Sequence, residues 1–387
     1  MTPASPIHRP AWLPGFIPEL DGLRGIAILA VVLYHCNPRL VGTWIHYGSL
    51  WGWSGVIVFF SLSGFLITTG LLGARAKPDY FHSFHARRVL RIWPVYLLVL
   101  FVCYWQAHWF VGMETWPAVK AAPWLAYLFF VQNLFHLNLP AAIGPTWALA
   151  IEEQYYFFWA PLVRWLRRPW MLAALLTGVL AMCPVMRQIH PGWLTPTHTL
   201  IHLDGIALGS LMAIGLCTLP VSRRTWLFLG LGAFVVGIGA AATVAGGTSL
   251  LDSALTLGFS GAILASIAST GALNPLSFLL RRGPLAYYGR ISYGLYMTHI
   301  MVFIFFGWVD VILDCHGSPV LIEAACVQMH LGSVARFIVL SVSQSAAALH
   351  LPANLALVIF RLAASTAVAT ALWYGFEKQI LKLKRYF

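Results

Sequence analysis

The sequence predicts an all-α integral membrane protein, a polytopic bundle of about ten transmembrane helices with both termini cytoplasmic. Three observations predict it. Of 387 residues, 59% are hydrophobic and only 9% charged, whereas soluble domains carry about 25% charged residues. No soluble core of this length hides so much apolar surface. Apolar runs of about 20 residues, the length that crosses a hydrocarbon core, recur along the chain. Basic residues collect between those runs, as they do in cytoplasmic loops. Seventeen Trp suit membrane–water interfaces.

In order, the spans are expected near 20–37, 50–73, 93–112, 146–163, 170–187, 199–218, 225–245, 252–272, 291–309 and 356–376. The apolar stretch 124–136 is too short to span and reads as re-entrant or interfacial; 336–350 has the same ambiguity. The basic loops test the count. They are Arg75 to Arg91, Arg164 to Arg168, Arg223-Arg224, Arg281-Arg282 with Arg290, and Lys378 to Arg385. Ten spans put all five on one side, whereas an added span at 124–136 would misplace the last four. A single membrane domain over 1–387 follows, with a tail over 1–18 and a basic tail over 378–387. The Pro-rich first twenty residues have no apolar core and do not read as a cleaved signal.

The net charge of +12 is read as topology, with room for an anionic substrate. Nucleic acid is not an expected partner; the lipid bilayer is. Cys36, Cys103, Cys183 and Cys217 lie in apolar stretches and read as small core residues. Cys315 and Cys326 share one loop, where a disulfide requires an oxidising compartment. There is no Walker-type loop, nucleophile elbow or His-rich metal pattern, so no metal is expected.

Ionisable groups inside a bilayer are costly, which makes each a functional candidate. In Glu19-Leu20-Asp21-Gly22-Leu23-Arg24, Arg24 precedes His35 by eleven residues. That is close to three full turns, so both share a helix face about 16 Å apart. One reading is a snorkelling Arg and a core His. The other is a charged-end-outward substrate reaching inward to an imidazole base, whose pKa lies near neutral. Trp147 to Tyr156 carries adjacent Glu152 and Glu153, which point about 100° apart, so only one faces a given site. That one either orients a catalytic His or pairs with a buried Arg. Arg88 and Arg91 are helix-face neighbours, suited to phosphate recognition or to plain anchoring. Phe59 to Thr68 and Gly205 to Gly209 read as close helix packing, and the intramembrane Asp204 requires a partner. Tyr293, Tyr296 and His299 form a loose stripe, more wall than catalyst, from which His299 can reach His35 or a substrate.

In this order, these motifs resemble the acyltransferase 3 family of integral membrane O-acyltransferases, from about residue 18 to 378. Its Arg and His of the first span correspond to Arg24 and His35. "FFxLSGFLI" is matched by Phe59 to Ile67, and "RxxRxxP" by Arg88, Arg91 and Pro94. "WSLxxEEQFY" is matched by Trp147 to Tyr156, and "ISYxLYxxH" by Ile291 to His299. Glu377 fits the family's usual end. Two positions depart: Ile57 stands where an acidic residue is usual, and His202 stands two residues before Asp204 where Arg is common.

The resemblance implies an enzyme that moves an acyl group, typically acetyl, from cytoplasmic acyl-CoA to a hydroxyl of a carbohydrate, envelope glycan or small molecule. It implies a multi-pass protein of a bacterial plasma or inner membrane, with acyl-CoA as co-substrate and no bound cofactor. His35 becomes the base, with Arg24 and Glu152 as essential partners and Glu152 orienting the imidazole. Arg88 and Arg91 become acyl-donor contacts. Ser63, Asn133 and Tyr293 are candidate oxyanion donors, and Asp21, Trp147, Glu153, Asp204 and His299 possible supporting residues. Direct and covalent transfer both remain open. No stretch resembles the extracytoplasmic hydrolase-like domain of some relatives, so transfer is expected within the membrane domain. The competing class is a transporter or flippase using the same ionisable residues.

Overall fold

The computed structural model describes residues 10–36, 40, 44–109, 124–135, 141–244, 249–271, 275–306 and 353–387. Among these there is no strand. The long helices are α1 (Pro18–His35), α3 (Gly55–Ala74), α4 (Tyr80–Trp109), α6 (Thr146–Trp165), α7 (Pro169–Ile189), α8 (Thr199–Thr218), α9 (Arg223–Thr243), α10 (Leu251–Ala268), α12 (Gly283–Phe305) and α13 (Ala353–Leu372). Short helices α2 (Trp44–Ser49), α5 (Trp124–Leu128) and α11 (Pro275–Leu280) lie between them. Each stretch expected to span thus carries a long helix. By length and composition, five helical stretches can cross a membrane: 45–74, 169–189, 223–243, 251–268 and 355–386. The chain is a multi-pass membrane protein. The candidate charges sit on α1, α4 and α6, outside those five.

Residues 124–135 do not span. Helix α5 stops after five residues, and Phe130 takes a left-handed φ of 55°. The irregular backbone is tolerated because protein groups satisfy it. Gln154 Nε2 donates to Phe130 O at 2.6 Å and to Asn133 Oδ1 at 2.8 Å. Cys315 and Cys326, and the stretch 336–350, lie outside the described residues.

Lipid gives no hydrophobic drive between helices, so close backbone approach and polar contacts must hold them. Gly64 of α3 abuts the Ile206 backbone of α8, and Gly209 of α8 abuts the backbone of Ser61 and Phe65. The two small-residue segments therefore pack against each other, as their composition suggested. Gly25 of α1 abuts Leu285, and Gly289 of α12 abuts Asp21. These approaches press α1 and α12 together along much of their length.

The basic loops meet at one end of the bundle. Arg164 donates to Arg75 O, and the Arg75 guanidinium donates to Leu166 O and Arg167 O, across the ends of α6 and α3. Arg223 caps the carbonyls after α10. Arg281 pairs at 2.7 Å with Glu19, which is fully buried and also accepts from Ser277 Oγ at 2.6 Å. Arg87 Nε donates to Phe387 O at 3.0 Å.

Asp204 finds its partner on another helix. Arg187 Nη2 lies 2.8 Å from Asp204 Oδ2, with both side chains below one-tenth exposed. His202, which stands where an arginine is common, contacts Pro196 O at 2.9 Å and lies tilted against Trp147. Arg187, at the far end of α7, supplies the guanidinium. Removing one member of a buried pair leaves an uncompensated charge and costs about 3–5 kcal/mol. Arg187→Ala is therefore expected to lower Tm strongly in detergent, and the further change Asp204→Asn to restore part of the loss.

Candidate active site

A cavity of about 410 Å3 opens where α1, α3, α4, α6 and α12 converge. Arg24, Arg88, Arg91, Glu152, Ser63 and Tyr293 line it, on a wall otherwise largely apolar. Six residues flagged from sequence thus come together from five helices. Arg24 is oriented by Asp21, one turn earlier, at 3.1 Å. The Arg88 guanidinium lies over the Tyr156 ring, 4.7 Å from its centroid. Arg91 sits deep in the bundle yet keeps an exposed side chain, because it faces the cavity. Among the described residues neither Arg88 nor Arg91 forms an ion pair. Two guanidiniums one turn apart in a largely apolar cavity form a site for an anion.

Glu152 is the carboxylate that faces this cavity. Its Oε1 accepts from Ser63 Oγ at 2.5 Å. Glu153 points elsewhere, with Oε1 buried and without a hydrogen bond. Trp147 also lies off the cavity wall, edge-on to Phe60 and tilted against His202.

His35 does not line the cavity. It lies at the opposite end of α1 from Arg24, beside His299. The two rings are 4.9 Å apart, and His299 Nε2 approaches His35 Nδ1 to 3.3 Å. His35 Nδ1 also lies 2.9 Å from Val31 O. The expectation that Glu152 orients His35 is therefore corrected: Glu152 is held by Ser63, and the imidazole by Val31 and His299. The physical reason is helix placement. Glu152 ends the second turn of α6 and faces the middle of α3, whereas His35 closes α1 against the later turns of α12.

The hydrogen bonds assign the protons. His299 Nδ1 faces Tyr296 O at 2.8 Å and Leu295 O at 3.1 Å, so it carries a hydrogen. In the neutral ring its Nε2 is then an acceptor. His35 Nδ1 faces Val31 O and that acceptor, so it too carries hydrogen. The lone pair of His35 is left on Nε2, partly exposed. This is the tautomer that a general base needs. His299→Leu is expected to lower kcat about 10–100-fold by removing the acceptor that helps fix it. His299→Gln, whose amide oxygen can accept the same hydrogen, should lose less; 15N shifts of the His35 ring would report the tautomer directly.

Phe59 and Tyr296 line the cavity, and Tyr296 also borders His299. Their rings are 6.2 Å apart, and Tyr296 lies 6.0 Å from the His299 ring. Tyr296 Oη donates to Pro145 O at 3.0 Å. Sequence reasoning placed Tyr296 in a wall but missed that it borders both the cavity and His299. The three candidate oxyanion donors are all engaged. Ser63 donates to Glu152 and Tyr293 to Ile92 O at 2.7 Å. Asn133, fully buried, donates to Thr197 O and Thr199 Oγ1, away from the cavity. It ties α5 to α8 instead of facing the cavity.

The comparisons agree with the chemistry of these groups. The model of the acyltransferase domain family Acyl_transf_3 matches residues 17–374. The chain belongs to this family. The motif residues around the cavity and at His35 fall inside the matched region. A peptidoglycan O-acetyltransferase OatA of Listeria monocytogenes is 28% identical over 327 residues, covering 73% of this chain and 49% of that protein. An O-acetyltransferase OatA of Staphylococcus aureus is 32% identical over 161 residues, covering 39% and 25%. The chain thus spans at most about half the length of these relatives. No solved structure matches it.

Proposed function

We propose that this chain is a ten-span O-acetyltransferase of a bacterial plasma membrane, with both termini cytoplasmic. In this reading it moves an acetyl group from cytoplasmic acyl-CoA to a hydroxyl of a cell-envelope glycan. The relatives named for peptidoglycan and O-acetylation support the acceptor class and the acyl group. One observation carries the mechanism: three arginines line a cavity, and a correctly protonated imidazole lies outside it.

The phosphates of the donor dock on Arg88 and Arg91, with Arg24 beside them. Asp21 holds Arg24 in place. Glu152, fixed by Ser63, keeps a carboxylate beside the guanidiniums and helps to set their positions. The slim pantetheine arm parts the rings of Phe59 and Tyr296 and presents the thioester to His35. The acceptor approaches His35 from the end of the bundle opposite the basic loops. Its hydroxyl proton goes to His35 Nε2 as the oxygen attacks the thioester carbonyl. Collapse of the tetrahedral oxyanion breaks the carbon–sulfur bond, and the departing thiolate recovers the proton from the imidazolium. Hydrogen on Nδ1, shared by Val31 O and His299, keeps the ring oriented throughout.

The test uses purified protein in nanodiscs, labelled acetyl-CoA and peptidoglycan fragments. Label transferred to the glycan by wild type and lost in His35→Ala supports the reading. Substrate flux across vesicles that needs no acyl donor and survives in His35→Ala overturns it in favour of a transporter.

A further inference from the structure

A second basic pocket adjoins the donor cavity. It measures about 250 Å3 and lies at the corner between α3 and α4. Arg88 and Arg91 line both spaces, as does Leu66, so the two are contiguous. The new charges in the second are Lys77, Arg87 and Lys384. Lys384 arrives from almost three hundred residues away, because the turn Lys382–Tyr386 folds back against the start of α4. That return is anchored where Ser83 Oγ and Arg87 Nε donate to Phe387 O.

Six cations, Arg24 included, therefore line one pair of connected cavities. Among the described residues none of Lys77, Arg88, Arg91 or Lys384 forms an ion pair. Like charges lining one enclosed space repel one another, and more strongly there than in water. The strain registers on Lys384, whose ammonium is pushed down to about 8 by burial and by Arg91, Arg88 and Arg87. An anchor at a membrane surface has no need to collect cations in a concave pocket. A pocket that takes an anion does.

We infer that Lys77, Arg87 and Lys384 form a second anion site, which holds a phosphate of the donor remote from its thioester. This rests on the donor reading above. A donor with a single phosphate cluster would neutralise only the arginines of the main cavity. A nucleotide thioester carries a diphosphate and a separate ribose phosphate, and so satisfies both spaces, with Arg88 and Arg91 at the junction. The same phosphate chemistry is offered by an anionic lipid headgroup, and the experiment separates the two sources.

Initial rates are measured in nanodiscs of phosphatidylcholine alone and with phosphatidylglycerol. The donors are acetyl-CoA and its 3′-dephospho analogue, and the proteins are wild type, Lys384→Gln and Lys77→Gln. The expected result is a KM for the dephospho donor roughly ten-fold or more above that for acetyl-CoA in wild type. Either substitution should raise KM for acetyl-CoA toward the dephospho value, shrinking the discrimination, in both lipid compositions. Equal KM for the two donors in wild type overturns the second site, as does an equal loss on both donors in the variants. An effect of the substitutions that appears only with phosphatidylglycerol assigns the pocket to lipid and also overturns it. No product from acetyl-CoA with wild type would instead remove the donor reading itself.

Discussion

Replacing His35 with alanine is expected to lower kcat by about 10²–10⁴-fold, the usual contribution of a positioned base. Donor KM should stay within a few-fold of wild type, because His35 lies outside the cavity that gathers the arginines. His35 is not among the residues that line the cavity, so removing its ring leaves the anion contacts intact. The fold should survive, since His35 closes the last turn of α1, where its ring meets Tyr34, Val31 O and His299. Steady-state kinetics with labelled acetyl-CoA, alongside Tm, check both halves. A large rise in donor KM with kcat unchanged would place His35 in donor binding and sink its role as base.

Replacing Arg91 with alanine is expected to do the reverse. Hydrogen bonds to charged groups contribute about 1.5–3 kcal/mol, so donor KM should rise roughly 10–100-fold. Arg88→Ala should act similarly, with an added loss of Tm because its guanidinium covers Tyr156. Arg91→Lys should restore only part, since an ammonium cannot present the two-pronged face of a guanidinium to a phosphate. The two arginines are one turn apart on one wall, so their effects should be non-additive in a double-mutant cycle. Glu152→Gln should couple to Arg91 in the same way, because the carboxylate shares that cavity and not the imidazole. An additive result for Glu152 and Arg91, with kcat falling as far as in His35→Ala, would return Glu152 to the imidazole.

Much of the site could be read in the sequence. Arg24, Arg88, Arg91, Glu152, Ser63 and Tyr293 were each singled out by their residue type inside or beside an apolar run, and they line one cavity. Charges and hydroxyls are conspicuous in such surroundings because hydrocarbon tolerates few of them. Roles were less legible. Asn133 looked like an oxyanion donor but is spent holding α5 to α8. His202 looked like a stand-in for an arginine, while Arg187 supplies that charge from the end of α7. The clue to Arg187 was present: an arginine closing an apolar helix opposite an aspartate that required a partner.

The sequence by itself determined that this chain lives in lipid, that it is helical throughout its spans, which family it joins and which side chains are candidates for chemistry. Those properties rest on composition, on span length and on local motifs, all of which are written along the chain. Only the tertiary structure decided who meets whom. His299 reaches His35 across 264 positions, and Ser63 reaches Glu152 across 89. Such meetings depend on how each helix is rotated about its axis and how closely its glycines let the neighbours approach. A change of about 100° in that rotation, one residue's worth, would have exchanged Glu152 for Glu153 at the cavity.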